Sequence, residues 1–386
     1  TGPLTLREVL AQEFDDVINA QSINPHLVEI TLRAPNVIFP RTVSQLLIPD
    51  SATWEDLGAE VFALAPVGTG PFQVEVLTDE RASLSAFKES WRPPHAASLE
   101  FLVLKESATR LNGLLSGRLD IAFSVGHDDM ELITTAGGSI YVAPLPAVLG
   151  LIFITTKAGS PLQSKYVRQA LNYAVDMDTI INEVMGGMTV AATQPTPRAA
   201  FGYNPKLAQY GYDPERARHL LRQAGYPNGF KMMAEVAIIG PNDSLVLQKI
   251  ADDLGRVGVH LSIQTITYPT FASNFRNGNW KGDSFNLFFS TEPNLDALRG
   301  IRYHSCAWPA AWFCDHEIMP TIQSALNHPE LEIRRAMTQD VMSHYREQAP
   351  AIFLFEPLEL FGLSGFVRDF SVAHSFVFWD RIRLEN

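Results

Sequence analysis

Long apolar runs, dense basic stretches and nucleotide or hydrolase motifs are missing from this chain, and cysteine is nearly so. The longest apolar stretch, IYVAPLPAVLGLIFI at 140–154, is too short to span a bilayer and is interrupted by Pro144 and Pro146. It reads instead as a turn followed by a buried strand. Lys and Arg number 30 against 42 Asp and Glu, and the formal net charge is −12. A nucleic-acid surface needs a basic face, which this balance and the absence of a Lys/Arg run argue against. No GxGxxG, P-loop, HExxH or GxSxG pattern occurs. GLSG at 362–365 is one residue short of a nucleophile elbow, and without that spacing the motif loses its mechanics.

Two cysteines, Cys306 and Cys314, stand close together in HSCAWPAAWFCDHE. An isolated pair suits a disulfide in an oxidising compartment, and two buried thiols in a cytosolic protein are the alternative. Closing so short a loop contributes about 2.5 kcal/mol on the chain-entropy account.

What is present is ample apolar material: 46% of 386 residues are hydrophobic and 19% charged, enough for two or three ordinary globular domains. HLVEITLR (26–33) alternates as a half-buried strand, and GPFQVEVLTD with RASLSAFKE form a hairpin pair. SLEFLVLK, ATRLNGLLSG and RLDIAFSV follow as strand, helix and strand, a βαβ unit that implies some parallel pairing. In the helix, Ala108, Leu111 and Leu115 share a face. From about residue 160 helices dominate. SKYVRQALNYAV places Val167, Ala170, Leu171 and Ala174 on one face. FKMMAEVAI, NDSLVLQKIADDLGRVG and VHLSIQTI make a second α/β unit, and EIRRAMTQDVMSHYREQAP is a long amphipathic helix. AIFLFEPLELFGL then returns to strand with two acids in it.

Candidate ligand contacts are few. Ser124 ends the RLDIAFSV strand, and Asp128 lies in the HDDME loop just after it; strand ends are where open α/β sheets meet ligands. HDDME also reads as a loop leading into a helix with an acidic first turn. CDHE (314–317) is explained by Asp315 as a helix N-cap with Glu317 in the first turn, and His304 and His316 approach each other if the disulfide forms. Aromatics gather at Phe285, Phe288, Phe289, Tyr303, Trp308, Trp312 and Phe313; of these Tyr303, Trp308 and Trp312 are candidates for ligand walls.

The segment GYDPERARHLLRQAGYPNGF (211–230) is a short helix marked at both ends. Asp213 caps it, Pro214 occupies the first turn, Ala217, Leu220, Leu221 and Ala224 form one stripe, and Gly225 stops it. The segment resembles a recurrent element of the family 5 extracellular solute-binding proteins of ABC importers, the dipeptide, oligopeptide and nickel-binding type. PVGTGPFQV (66–74), RLNGLLSGRLDIAFSV, SPLQSKYVRQALNYAVDMDTII and LGRVGVHLSIQ resemble further family segments in the same order.

The resemblance implies an α/β fold, a two-lobed periplasmic-binding-protein-like clamp of type II, cluster C. Lobe I would be 1–156 with its N-terminal portion incomplete, lobe II 157–356, and 357–386 a return to lobe I. It implies no catalysis, no cofactor and no metal centre. The partners implied are a small-molecule solute and the membrane permease of an ABC importer, with no nucleic acid. The protein would be a monomer in the periplasm, or extracellular and membrane-anchored in a Gram-positive source. Peptide-binding members carry an acid near a "D.P" or "EP" element. Counting back from Glu292-Pro293 puts Phe289 there, or Ser290 with one gap, and neither is charged. Gly240 falls where dipeptide members carry an arginine for the carboxylate. Simple dipeptides are therefore expected to bind poorly, because both charged ends lack partners. The expected solute is polar and weakly charged, such as a sugar, opine or modified peptide, contacted by Ser124, Asp128, Phe289, Ser290, Glu292, Tyr303, Trp308 and Trp312. An oligopeptide or metal-chelate binder of the same family and the ligand-sensing module of a transcriptional regulator are the alternatives.

Overall fold

The computed structural model describes residue 14 and residues 16–238, 240, 242–373 and 375–385. The chain divides into two compact units, one comprising Thr1–Val43 with Pro146–Pro357, the other Ser44–Leu145 with Leu358–Asn386. The sequence reading grouped 1–156 together; by contact, the stretch through Val43 clusters with the larger unit.

The larger unit is built on a five-stranded mixed sheet in the order Val259–Thr265, Phe230–Val236, Ser284–Ser290, Ala147–Phe153, Ala351–Phe355. The first three strands run parallel, and Ala147–Phe153 is antiparallel to both of its neighbours. Every residue of Ala147–Phe153 is buried, as the interrupted apolar run at 140–154 predicts for a strand covered on both faces. Its side chains alternate between two cores. Leu149, Leu151 and Phe153 join the helices Lys165–Ala174, Pro214–Gln223 and Asp243–Gly255 on one face. Val148 and Ile152 join Phe285, Phe289 and the helices Ala297–Tyr303, Met319–Asn327 and Leu331–Gln348 on the other. A fully buried Leu or Ile contributes roughly 1.5–3 kcal/mol, so this one strand secures both layers.

The helix Lys165–Ala174 buries Val167, Ala170, Leu171 and Ala174, the predicted stripe. Arg168 on the same helix is buried and donates to the carbonyls of Gln348, Leu162 and Gln163. Burial lowers its pKa to about 10. It thus ties the helix start to the end of Leu331–Gln348. The short helix Pro214–Gln223 is capped as expected: Asp213 Oδ1 accepts from the Arg216 N–H at 2.9 Å. Ala217 and Leu221 are buried, and Gly225 takes φ +89°. Its Tyr226 N–H returns to the Leu221 carbonyl at 2.8 Å, satisfying an otherwise open acceptor.

The smaller unit holds two three-stranded antiparallel sheets, ordered Phe72–Leu77, Arg81–Ala86, Ser98–Leu102 and Ile121–Ala122, Leu358–Leu363, Ser139–Pro144. The expected parallel pairing across 98–125 is not found. Ser98–Leu102 and Ile121–Ala122 lie in different sheets, because the returning strand Leu358–Leu363 takes the place beside Ile121–Ala122. The helix Ser107–Leu115 buries Leu111 and Leu114, while Leu115 points outward. The strand Leu27–Leu32, expected to be half-buried, pairs with Val17–Asn24 in a hairpin that is mostly exposed. No helix among the described residues is long and apolar enough to cross a membrane.

Candidate functional site

Within the smaller unit, the strand Leu358–Leu363 alternates its side chains between two cores. Phe361 and Leu363 enter one with Ala143, Val367 and Phe370. Leu360 packs on the other, formed by Leu111, Leu114, Ala122, Val125 and Ile133. The period of two puts Glu359 on the Phe361 side. There a concavity of about 270 Å3 is lined by Phe123, Ala143, Leu145, Phe361, Val372, Ser375 and Glu359. Phe123 and Phe361 meet edge to face at 4.8 Å, and Trp379 stacks on Phe123 at 6.1 Å.

Ser124 fixes the polar end of this concavity. Its N–H and its hydroxyl both donate to Glu359 Oε1 at 2.7 Å. Ser124 holds φ +50°, a left-handed conformation that costs a non-glycine residue of order 1–3 kcal/mol and clusters at ligand sites. Arg110 keeps the loop in place. Its Nε donates to the Phe123 carbonyl at 2.8 Å and its Nη2 to the Ser124 carbonyl at 3.0 Å, while Nη1 binds the carbonyls of Leu104 and Lys105. Asp128 is fully exposed in a 3-10 turn, His127–Asp129, with the His127 Nδ1 at 3.6 Å. Ser124 and Glu359 are brought together, but neither Ser124 nor Asp128 is among the residues lining the concavity.

The other expected contacts lie in the larger unit. Phe289 has no exposed surface and stacks on His304 with ring centroids 3.7 Å apart. Trp308 and Trp312 are 4% and 1% exposed. Their indole N–H groups are satisfied inside, by the Phe275 carbonyl at 3.1 Å and by His304 Nδ1 at 3.2 Å. All three are core; this corrects the reading of Phe289 as a solute contact and of Trp308 and Trp312 as ligand walls, because a buried indole with its donor paired has no face left for a solute. Tyr303 is half-buried against Trp308, with the Arg299 guanidinium 5.4 Å from its ring centre. Ser290 ends its strand, its carbonyl accepting from Arg299 Nη1 at 3.3 Å and its hydroxyl lying 3.4 Å from the Glu292 N–H. Glu292 is half-buried and precedes a cis peptide to Pro293.

Cys306 and Cys314 are joined in a disulfide. His316 lies near the two sulfurs, but these are bonded to each other, which leaves one imidazole and no metal-ligating set there. Asp315 is not a helix cap; it pairs with His344 Nε2 at 2.7 Å, and the next helix begins at Met319. His304 turns into the core rather than toward His316, and burial pushes its pKa down to about 3.

Glu359 and its aromatic neighbours Phe123 and Phe361 are the functional candidates that sequence reasoning missed. The signal was visible as an acid inside the apolar alternation of EPLELF. The other acid, Glu356, is held by Arg198, whose N–H donates to it at 3.1 Å.

Comparison with known proteins agrees with this architecture. The family model for bacterial extracellular solute-binding proteins, family 5 Middle, matches residues 5–299. Heme-binding protein A of Haemophilus influenzae is 29% identical over 295 residues, 71% of this chain and 54% of that protein. The chain therefore spans about half the length of that relative. Glutathione-binding protein GsiB of Pectobacterium atrosepticum is 23% identical over 355 residues, 88% of this chain and 68% of that one. The periplasmic binding protein DppA from Helicobacter pylori, solved with the peptide STSA, superposes with a TM-score of 0.85 at 18% identity, covering 98% of this chain and 76% of that one. That likeness shows the fold, the two-lobed α/β architecture of the type II periplasmic binding proteins. All three are named as binding proteins. The chain belongs to the bacterial extracellular solute-binding proteins, family 5.

Proposed function

We propose that this chain is the solute-capturing component of an ABC importer, holding a small organic solute by non-covalent contacts and handing it to a membrane permease. The observation that carries the reading is the family match over residues 5–299. Binding shifts the chain toward the conformation that favours the solute, and no bond is made or broken. The Cys306–Cys314 disulfide suits an oxidising compartment such as the periplasm or the outer cell surface.

The solute class is narrowed by the side chains. The relatives' names, haem-binding and glutathione-binding, are chemically diverse, so family membership leaves the solute open. A sugar stacked on Trp308 and Trp312 loses its support, since both rings are core. Simple dipeptides remain poor candidates. Phe289 offers no charge, and the Gly240 N–H is occupied by Asp243 at 2.8 Å, which puts an anion where a peptide carboxylate would seek a cation. A solute that binds should stabilise the chain by about 2.7 kcal/mol at a hundredfold excess over Kd. A thermal-shift panel of amines, opines, sugars and peptides on the full chain tests this. Raised Tm with at least one class supports capture, and no shift with any class refutes it.

A further inference from the structure

The concavity around Glu359 has an unusual chemistry for a site with so much apolar surface. Phe123, Phe361, Ala143, Leu145 and Val372 supply most of the walls with Ser375 beside them, and among the described lining residues Glu359 is the one acid. Among the described lining residues none is cationic. Glu359 Oε1 takes two hydrogen bonds from Ser124, while Oε2 has no protein partner among the described residues. A carboxylate oriented through one oxygen and open at the other is arranged to receive a donor. Ser124 adopts its left-handed backbone in making that arrangement, and Arg110 ties the Phe123 and Ser124 carbonyls to those of Leu104 and Lys105. The strand that bears Glu359 begins just after the crossing at Pro357–Leu358, and Leu145 is the last residue before the crossing at Leu145–Pro146.

We infer that this concavity is the subsite for the cationic end of the solute, an ammonium group on an apolar or aromatic stem. The ammonium donates to Glu359 Oε2 and lies against Phe123, the exposed ring of the lining, which attracts cations. The stem occupies the walls of Ala143, Leu145 and Val372. An anionic group entering the same place meets Glu359 and no positive charge among the described lining residues, so the site discriminates by sign. The inference rests on the solute-capture reading and names the chemistry that reading leaves open.

Isothermal titration of the full chain with phenethylammonium, 3-phenylpropanoate and the zwitterionic dipeptide phenylalanylglycine tests it. The same titrations are run on Glu359→Gln, which keeps an acceptor for Ser124 and removes the charge. Circular dichroism and the unliganded Tm establish that the variant is folded. The amine is expected to bind the native chain, and Glu359→Gln to weaken it by about ten- to a hundredfold, the range of a charge-assisted hydrogen bond. The propanoate should not bind. A dipeptide that binds more tightly than the amine, and loses that binding in the variant, supports the ammonium site with a peptide N-terminus as its source and overturns the expectation that simple dipeptides bind poorly. Equal amine affinity in both proteins, no amine binding, or propanoate binding as tight as the amine overturns the inference. A neutral or anionic solute that raises Tm in both proteins overturns it while leaving solute capture standing; failure of every solute class removes both.

Discussion

Removing the positive partner of a buried ion pair gives the sharpest test of how the larger unit is held together. Arg334, on the helix Leu331–Gln348, places Nη1 2.6 Å from Asp296 Oδ2, and the two side chains are 3% and 1% exposed. Asp296 is also the N-cap of Ala297–Tyr303, its Oδ1 accepting from the Leu298 N–H at 3.1 Å. The guanidinium lies 4.6 Å from the Phe201 ring centre. One arginine therefore links a long helix, a helix cap and an aromatic ring. Arg334→Met retains much of the apolar stem but leaves the Asp296 carboxylate buried without its partner. Breaking such a pair typically costs about 3–5 kcal/mol, because the remaining charge is uncompensated. The double variant Asp296→Asn/Arg334→Met keeps a capping oxygen and removes that charge, so it should recover about 2 kcal/mol relative to the single variant. Urea unfolding followed by tryptophan fluorescence measures this, since Trp280, Trp308 and Trp312 lie in the same unit. With two units the transitions must be resolved before free energies are compared. A loss below about 1 kcal/mol in Arg334→Met, or a double variant less stable than the single one, would refute the reasoning that the charge itself is what must be satisfied.

The buried His304 predicts a loss of stability in acid. Its folded pKa is about 3, far below the ordinary value of 6.5, because burial disfavours the charged ring. Between those values the unfolded chain takes up a proton that the folded chain refuses, so stability is full above pH 6.5 and falls as pH drops toward 3. The loss from this ring reaches about 2 kcal/mol by pH 5. His304→Gln, which keeps an acceptor for the Trp312 indole, should flatten that part of the pH profile; unchanged slopes contradict the assignment. Asp213→Ala should destabilise the larger unit by about 1 kcal/mol through loss of the cap on Arg216, whereas Asp213→Asn should be nearly neutral. Equal effects of the two substitutions would mean that the cap contributes little.

How far the sequence could be read depended on the range of the interaction. Local signals held: the cap at Asp213, the stop at Gly225 and the stripe on Lys165–Ala174 all depend on residues a few positions apart. The strand–helix–strand at 230–265, read as a second α/β unit, forms a parallel pair. The similar pattern at 98–125 did not, because its second strand pairs with Leu358–Leu363, more than two hundred residues later, and no local feature announces that partner. Site residues were harder. Trp308 and Trp312 have the amino-acid type of a ligand wall, and only the internal acceptors for their N–H groups mark them as core. Asp315 looks like a cap until His344, on a distant helix, claims it. Ser124 stands out by its strand-end position, but nothing local points to its hydrogen-bond partner Glu359, 235 positions away. Of the two acids in FEPLEL, contact with Arg198 distinguishes Glu356 from the one that lines the concavity.

The central claim is non-covalent solute capture, and native mass spectrometry of the freshly purified full chain addresses it most directly. The account predicts a second peak displaced by the mass of a small organic molecule, released unchanged on mild denaturation and identified as a cation. A released molecule that has been chemically altered relative to what was supplied, or a chain that neither retains nor takes up any solute from a cell extract, would contradict it.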